Sequence, residues 1–239
     1  MSADEITRPL LLLFDIDGTL LAGATDAHRD ALHAALLAVH GVDAQTVNAR
    51  LRPAGRTDGE IARTILLAAG VSAERIDERA GAVREECCRA YQRLCPKDLS
   101  RTVLPGVREL LAWLAGRADV RLALVTGNYE LVARLKLASA GIGHRFPTGQ
   151  GGFGSDAEDR AALPAIARRR AGTVGTPHPR AATTVIGDTP RDIACAHADG
   201  VRCIALATGP FGREELSEAD AVLPSALELG ELLAAELAA

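Results

Sequence analysis

Three short polar segments hold the residues able to do chemistry together: Asp15-Ile16-Asp17-Gly18-Thr19, Thr126-Gly127-Asn128, and Gly187-Asp188-Thr189-Pro190-Arg191-Asp192. Each follows an aliphatic run that reads as a buried strand. In open α/β sheets, ligands sit beyond the carboxyl ends of such strands. Four carboxylates (Asp15, Asp17, Asp188 and Asp192) brought to one crevice repel one another, so the site needs a compensating cation. The three segments contain no histidine or cysteine. Hard oxygen ligands of this kind suit Mg²⁺, which pairs one or two carboxylates with a substrate phosphate. The bland alternative is that these acids only cap helices or shape turns. It weighs most on Asp192, which falls in the first turn of a helix, where acids are favoured anyway.

The elements that must position these residues form a regular alternation. Strands are expected at Leu10–Phe14, Val120–Val125, Thr183–Ile186 and Val201–Leu206, and helices at Pro105–Leu114, Asn128–Ala140, Ala157–Ala171 and Arg191–Ala198. Continuous aliphatic strands alternating with helices predict a doubly wound (Rossmann-like) parallel sheet. The interval from Asp15 to Thr126 far exceeds the roughly 30 residues of a βαβ unit. Its excess reads as helical. Thr25 caps a helix to Gly41, with Leu32, Leu36 and Val39 on one face. A second runs from Asp58 to Gly70 with Ile61, Ile65 and Ala68 in register. A third starts at Ser72 and carries Ile76, Ala80, Val83, Cys87 and Leu94. The fold class is therefore α/β: a core of residues 1–21 and 101–239, with an inserted α-helical cap domain at 22–100. Ala22-Gly23 and Pro105-Gly106 are the expected hinges.

The set of strand-DxDGT, strand-TGN and strand-GDxxxD, in that order over nearly the whole chain, resembles the haloacid dehalogenase superfamily of phosphohydrolases. The likeness is to the branch with a helical cap inserted after the first strand. The resemblance implies an aspartyl-phosphate route. Asp15 would be the nucleophile and Asp17 the acid and then base. Thr126 would hold a phosphoryl oxygen, with Gly127 and Asn128 beside it in substrate binding. Mg²⁺ would be bound by Asp15, Asp17 (through its backbone carbonyl) and Asp188, with Asp192 binding it directly or orienting its waters. The family's cationic residue before the last acidic motif is normally a lysine, and no lysine follows Lys136. Arg160 occupies the expected region and can act as a permanent cation. Lys136 is the other candidate, although a place more than two turns into its helix makes reach harder.

The cap is expected to choose the substrate. Arg56, after Pro53-Ala54-Gly55, resembles a residue of the specificity loop in phosphoglycolate phosphatase-like members and would meet an anionic group; a solvated arginine at a helix start is equally compatible. Cys87 falls on an apolar stripe and reads as packing. Trp113 reads as core, and His178, between Pro177 and Pro179, as part of a surface loop. The leading expectation is hydrolysis of a small phosphorylated metabolite, phosphoglycolate or a sugar phosphate. A sugar phosphomutase is the alternative. A dehalogenase would not need Asp17, and a phosphonate hydrolase would need a cap lysine, where only Lys97 lies near. An idle binding protein is disfavoured because every acidic position is present.

Bulk properties narrow the class further. The chain has 239 residues, 48% of them apolar and only 3% aromatic, so its core must be aliphatic. A net charge of −4 argues against a general nucleic-acid binder. Lys97 and Lys136 are the only lysines among 27 basic residues, which reads as codon bias. Five cysteines without a CxxC pair fit a reducing compartment. The acidic start and the short Leu10–Phe14 run fit neither a signal peptide nor a membrane span. The expectation is a cytoplasmic monomer or homodimer with no membrane partner.

Overall fold

The computed structural model describes residues 9–47 and 51–238. Its centre is a six-stranded, wholly parallel sheet in the order β3-β2-β1-β4-β5-β6. The strands are β1 (Leu10–Phe14), β2 (Val120–Thr126), β3 (Gly152–Phe153), β4 (Thr183–Gly187), β5 (Arg202–Leu206) and β6 (Ala221–Leu223). Alternate side chains of β1 enter opposite cores. Leu11 and Leu13 join one apolar cluster, while Leu12 and Phe14 join the other. This explains why the run has no polar alternation: a strand covered on both faces has no wet side.

From β1 the chain moves outward through β2 and β3, then returns to β1's other side as β4. Direction therefore reverses between β1 and β4, the place where such sheets open a crevice at their carboxyl ends. Helices α4 (Val107–Ala115), α5 (Glu130–Ser139), α6 (Leu163–Ala171), α7 (Pro190–Ala198) and α8 (Ala226–Glu236) cover the two faces.

The inserted cap comprises α1 (Asp26–His40), α2 (Asp58–Ala68) and α3 (Ala73–Leu94). Leu32, Leu36, Ile65, Leu66, Ile76, Val83, Cys87 and Tyr91 form its core, together with Tyr129 and Val132 from the α5 segment. Cys87 is packing, as the stripe implied. The buried faces differ in part from expectation. Ala68, Ala80 and Leu94 are exposed, whereas Leu66, Ala90 and Tyr91 are buried. The α3 stripe drifts because a straight 3.6-residue helix rotates its apolar seam over 22 residues. Thr57 and Ser72 cap α2 and α3 through their side chains. Thr25 precedes α1 without a side-chain cap bond, and Asp26 supplies the first-turn acid instead.

Other boundaries also shift. Arg160–Ala162 is a 3₁₀ turn, so the helix expected from Ala157 begins at Leu163. Asp159 caps that turn by accepting from the Ala161 N–H at 2.9 Å. His178 is not on the surface. It is 2% exposed, because its N–H donates to the Arg168 carbonyl and its own carbonyl accepts from the Arg168 guanidinium, which pulls the Pro-His-Pro segment inward. Trp113 is half-buried against the core, with the Arg117 guanidinium 5.4 Å from its ring centre. Among the described residues no helix is long and apolar enough to cross a membrane.

Candidate active site

The crevice receives its acids from two adjacent strand ends. Asp15 follows β1 and its N–H donates to the Ile186 carbonyl at 2.9 Å, which ties it to the end of β4. Asp188 follows β4 directly, and Asp192 lies in the first turn of α7. Ligand oxygens of Asp15, Asp188 and Asp192 lie within 4.8 Å of one another, all three side chains buried. The Asp17 carboxylate stands apart from this trio. It turns instead toward Lys136, whose Nζ donates to Oδ2 at 2.7 Å and Oδ1 at 2.9 Å.

Lys136 thus reaches the site despite the distance expected of it. Helix α5 begins at Glu130, two residues later than anticipated, which leaves Lys136 nearer the helix start. Its side chain is wholly buried and also donates to Asn128 Oδ1 at 2.8 Å. Asn128 in turn donates through Nδ2 to Asp17 Oδ2 and to Thr126 Oγ1, each at 2.9 Å. Thr126 Oγ1 accepts there, so its own proton remains available to an oxygen in the crevice. Arg160 is present too, on the other side. Its Nη2 lies 3.3 Å from Asp15 Oδ2 and donates to Asp192 Oδ1. The two candidate cations are not rivals: one serves Asp17 and the other serves Asp15 and Asp192.

Asp192 uses both oxygens. Oδ1 meets Arg160, while Oδ2 accepts from the Thr189 N–H and hydroxyl, closing a capping box at the start of α7. Asp192 thus caps α7 and, with the same side chain, stands beside Asp15 and Asp188. Asp188 is different. Thr19 Oγ1 donates to its Oδ1 at 2.9 Å, but its Oδ2 is buried without a partner. An orphan carboxylate oxygen is costly unless something positive meets it.

Electrostatics point the same way. Burial, then Asp192 and Asp15, push the Asp188 carboxyl up to about 8, against Thr19 and Arg160. Burial raises Asp15 to about 6, opposed by Arg160 and helped by Asp192 and Asp17. Asp17 behaves oppositely. Burial would raise it, yet the charges of Lys136 and His28 and the bonds from Lys136 and Asn128 hold it below the usual carboxylate range. Burial works against the Arg160 charge, but Asp192 and Asp15 outweigh it and keep the guanidinium firmly protonated. Three carboxylates facing one guanidinium leave uncompensated negative charge. The residues fit a hard divalent cation: an all-oxygen set, an orphan oxygen and a surplus of charge.

Glycines make this packing possible. A Cβ on Gly18 or Gly209 would overlap the Asp188 carboxylate, and one on Gly187 would overlap that of Asp192. Gly209, in the loop after β5, was not anticipated. The same strand-end logic applied to β5 would have pointed to Ala207-Thr208-Gly209-Pro210, where Thr208 also donates to the Gly18 carbonyl at 2.6 Å.

Above the acids lies a cavity of about 500 Å³ between sheet and cap. Asp15, Asp17, Thr126, Gly127, Asn128, Arg160 and Asp188 border it below. Arg56, His28, Asp58 and several aliphatic side chains border it above. The cap is fastened there: the Asp58 N–H donates to the Gly127 carbonyl at 2.9 Å, and Asp58 Oδ2 accepts from the Tyr129 N–H at 2.7 Å. His28 Nε2 lies 3.0 Å from the same oxygen. His28 gave no signal in the sequence, because a helical His is ordinary in itself, and Asp58 reads there only as the start of the second cap helix. Arg56 borders the cavity with its guanidinium engaged by Glu60 and by the Arg52 carbonyl at 3.1 Å.

A family model described as "haloacid dehalogenase-like hydrolase" matches residues 12–197. The chain belongs to the haloacid dehalogenase-like hydrolases. Among curated members of this kind, a phosphoglycolate phosphatase of Rhodospirillum rubrum is 31% identical, over 94% of this chain and 91% of its own. Solved structures share the fold. CbbY from Rhodobacter sphaeroides, crystallised with phosphate, superposes with a TM-score of 0.62 at 22% identity, covering 93% of this chain and 97% of its own. A β-phosphoglucomutase from Clostridium difficile gives 0.67 at 17% identity, with 93% of each chain covered. The haloacid dehalogenase-like hydrolases thus supply both the sheet and the cap seen here.

Proposed function

We propose that this hydrolase is a Mg²⁺-dependent phosphatase that cleaves a small phosphate monoester through a phosphorylated Asp15. The observation that carries the reading is Asp15 on the floor of the cavity, between the Arg160 guanidinium and the unpartnered Oδ2 of Asp188. An anion crowded by acids is a poor nucleophile toward another anion unless cations surround both. Arg160 supplies one. Asp15, Asp188 and Asp192, with the Asp17 backbone carbonyl, would hold the ion; when bound, Mg²⁺ neutralises the carboxylates and the phosphoryl oxygens together.

In the first half-reaction an Asp15 oxygen forms a bond to phosphorus as the ester P–O bond breaks. The leaving oxygen takes a proton from Asp17. In the second, water attacks the phosphorus, Asp17 takes its proton, and Asp15 and inorganic phosphate are released. In the resting site Asp17 is ion-paired to Lys136 and held as the base, so the proton it passes to the leaving oxygen is the one a monoanionic phosphate ester brings in, and the second half restores it from water. Thr126, Gly127 and Asn128 line the phosphoryl position, with the Thr126 hydroxyl free to donate.

Phosphoglycolate enters as a reference compound because the curated relatives bear its name. The mutase reading shares the same phospho-aspartate, but the likeness to mutases is one of fold. The five free cysteines accord with a cytoplasmic setting. The test is acid quenching during turnover, followed by mass spectrometry. A phosphoryl adduct on the peptide containing Asp15, labile to hydroxylamine and missing without Mg²⁺, is expected. Turnover with no such adduct would reject the covalent route. Incubation with glucose 1-phosphate and its bisphosphate separates the mutase: isomer without free phosphate favours it.

A further inference from the structure

The cap side of the cavity has a chemistry of its own. Leu32, Leu51, Ile61 and Ile65 line it, and Leu32 and Ile65 are each 4% exposed, forming a dry aliphatic wall. The arginines and the acid on that wall are paired, while Thr25 and His33 line it as well. His28 and Asp58 pair with each other, and the second Asp58 contact is a backbone N–H. Arg56 is engaged by Glu60, and Arg29 lies 2.9 Å from Asp26 and 3.2 Å from Asp30. Among the described residues, then, both arginines that line the leaving-group side already face a carboxylate of the cap. The His28–Asp58 pair adds no unpaired cation there either.

Recognition of a small acid needs the reverse arrangement, a charged donor held open for bidentate contact. A wall of paired charges and aliphatic groups leaves a carboxylate without a dedicated partner and rewards apolar surface. The volume agrees. A cavity of about 500 Å³ lies within the range that encloses drug-sized ligands, far beyond a two-carbon acid and its phosphate.

We propose that the substrate's leaving group is uncharged and carries an apolar body that fills the space beneath Leu32, Ile61 and Ile65. This rests on the phosphatase reading and narrows it, away from phosphoglycolate and toward phosphomonoesters of aliphatic or aromatic alcohols. The phosphoryl end meets Thr126, Arg160 and the acids; the alcohol end meets the aliphatic wall.

The test compares kcat/KM for n-hexyl phosphate, phosphoglycolate and glucose 6-phosphate, with p-nitrophenyl phosphate as the general reporter, all with Mg²⁺. All three test compounds release an aliphatic alcohol, so their intrinsic reactivity is comparable and the ratio reads binding. Hexyl phosphate should exceed both others by more than about tenfold. The half-buried Ile61→Arg change should reduce the hexyl-to-glycolate ratio at least about tenfold by placing a cation in the wall. If wild type prefers phosphoglycolate or glucose 6-phosphate, this inference falls while the phosphatase reading stands. No turnover of any compound, the reporter included, overturns both. Should Ile61→Arg fail to fold, the wild-type ratio alone decides; a folded variant with an unchanged ratio counts against the wall.

Discussion

At the scale of single residues, the site is a division of labour between two cations. Arg160 restrains Asp15 and Asp192, while Lys136 restrains Asp17. Asp15→Asn should lower phosphate release from p-nitrophenyl phosphate by at least about a thousandfold, with circular dichroism unchanged. Lys136→Met tests the other half. It leaves the part-buried Asp17 carboxylate without its main partner, which should cost about 2 kcal/mol at pH 7 by urea unfolding. The sign with pH follows from linkage. Asp17 has a depressed value in the folded protein, so its pairing stabilises above the unfolded value and is lost as pH falls through the folded one. In the variant Asp17 protonates more readily, so the gap from wild type should narrow toward pH 4. A constant gap across pH would mean that Lys136 acts by packing alone.

At the scale of elements, the contact between cap and sheet depends on a glycine. The Arg56 carbonyl sits where a Gly127 Cβ would be, and Asp58 bonds the Gly127 carbonyl from the cap side. Gly127→Ala should therefore displace the cap and reduce kcat/KM by roughly a hundredfold. Urea unfolding of the core should move by less than about 1 kcal/mol, since the change sits at a junction and not in a core. Unimpaired turnover would show that the cap need not approach this closely. The same elements mark what sequence could convey. Long aliphatic runs such as Leu10–Phe14 announce themselves, and so do acids at their ends. The two residues of β3 and three of β6 carry no periodic signal. Arg160 was legible as a cation near a helix start, whereas its partners were set by a 3₁₀ turn that no periodicity marks. Lys136 was misjudged because two residues of error at a helix start change what a side chain can reach. His178 was misjudged because flanking prolines suggest a surface loop, while its burial depends on Arg168, distant in pattern though near in space.

At the scale of the molecule, stability and ion binding are linked through the crowded acids. Without a metal, Asp188 and Asp15 stand at about 8 and about 6 when folded, against about 3.9 for an unfolded aspartate. Groups raised in this way favour the folded state at low pH. That contribution disappears as pH climbs from about 4 through those folded values. Metal-stripped protein should thus lose Tm between pH 5 and pH 8. Saturating Mg²⁺ should restore it, more at pH 8 than at pH 5.5, by an amount that grows with concentration. Asp188→Asn should raise the Tm of stripped protein at pH 8 and erase the response to Mg²⁺. A Tm of stripped wild type that does not fall with rising pH would contradict this account of the acids.

The cap's apolar centre takes in Tyr129 and Val132, which belong to the segment after β2. A gene fragment spanning 22–100 would therefore emerge with its seam unzipped, greasy and prone to clumping. Exchanging caps between relatives to retarget such enzymes would need the α5 face to travel with the graft.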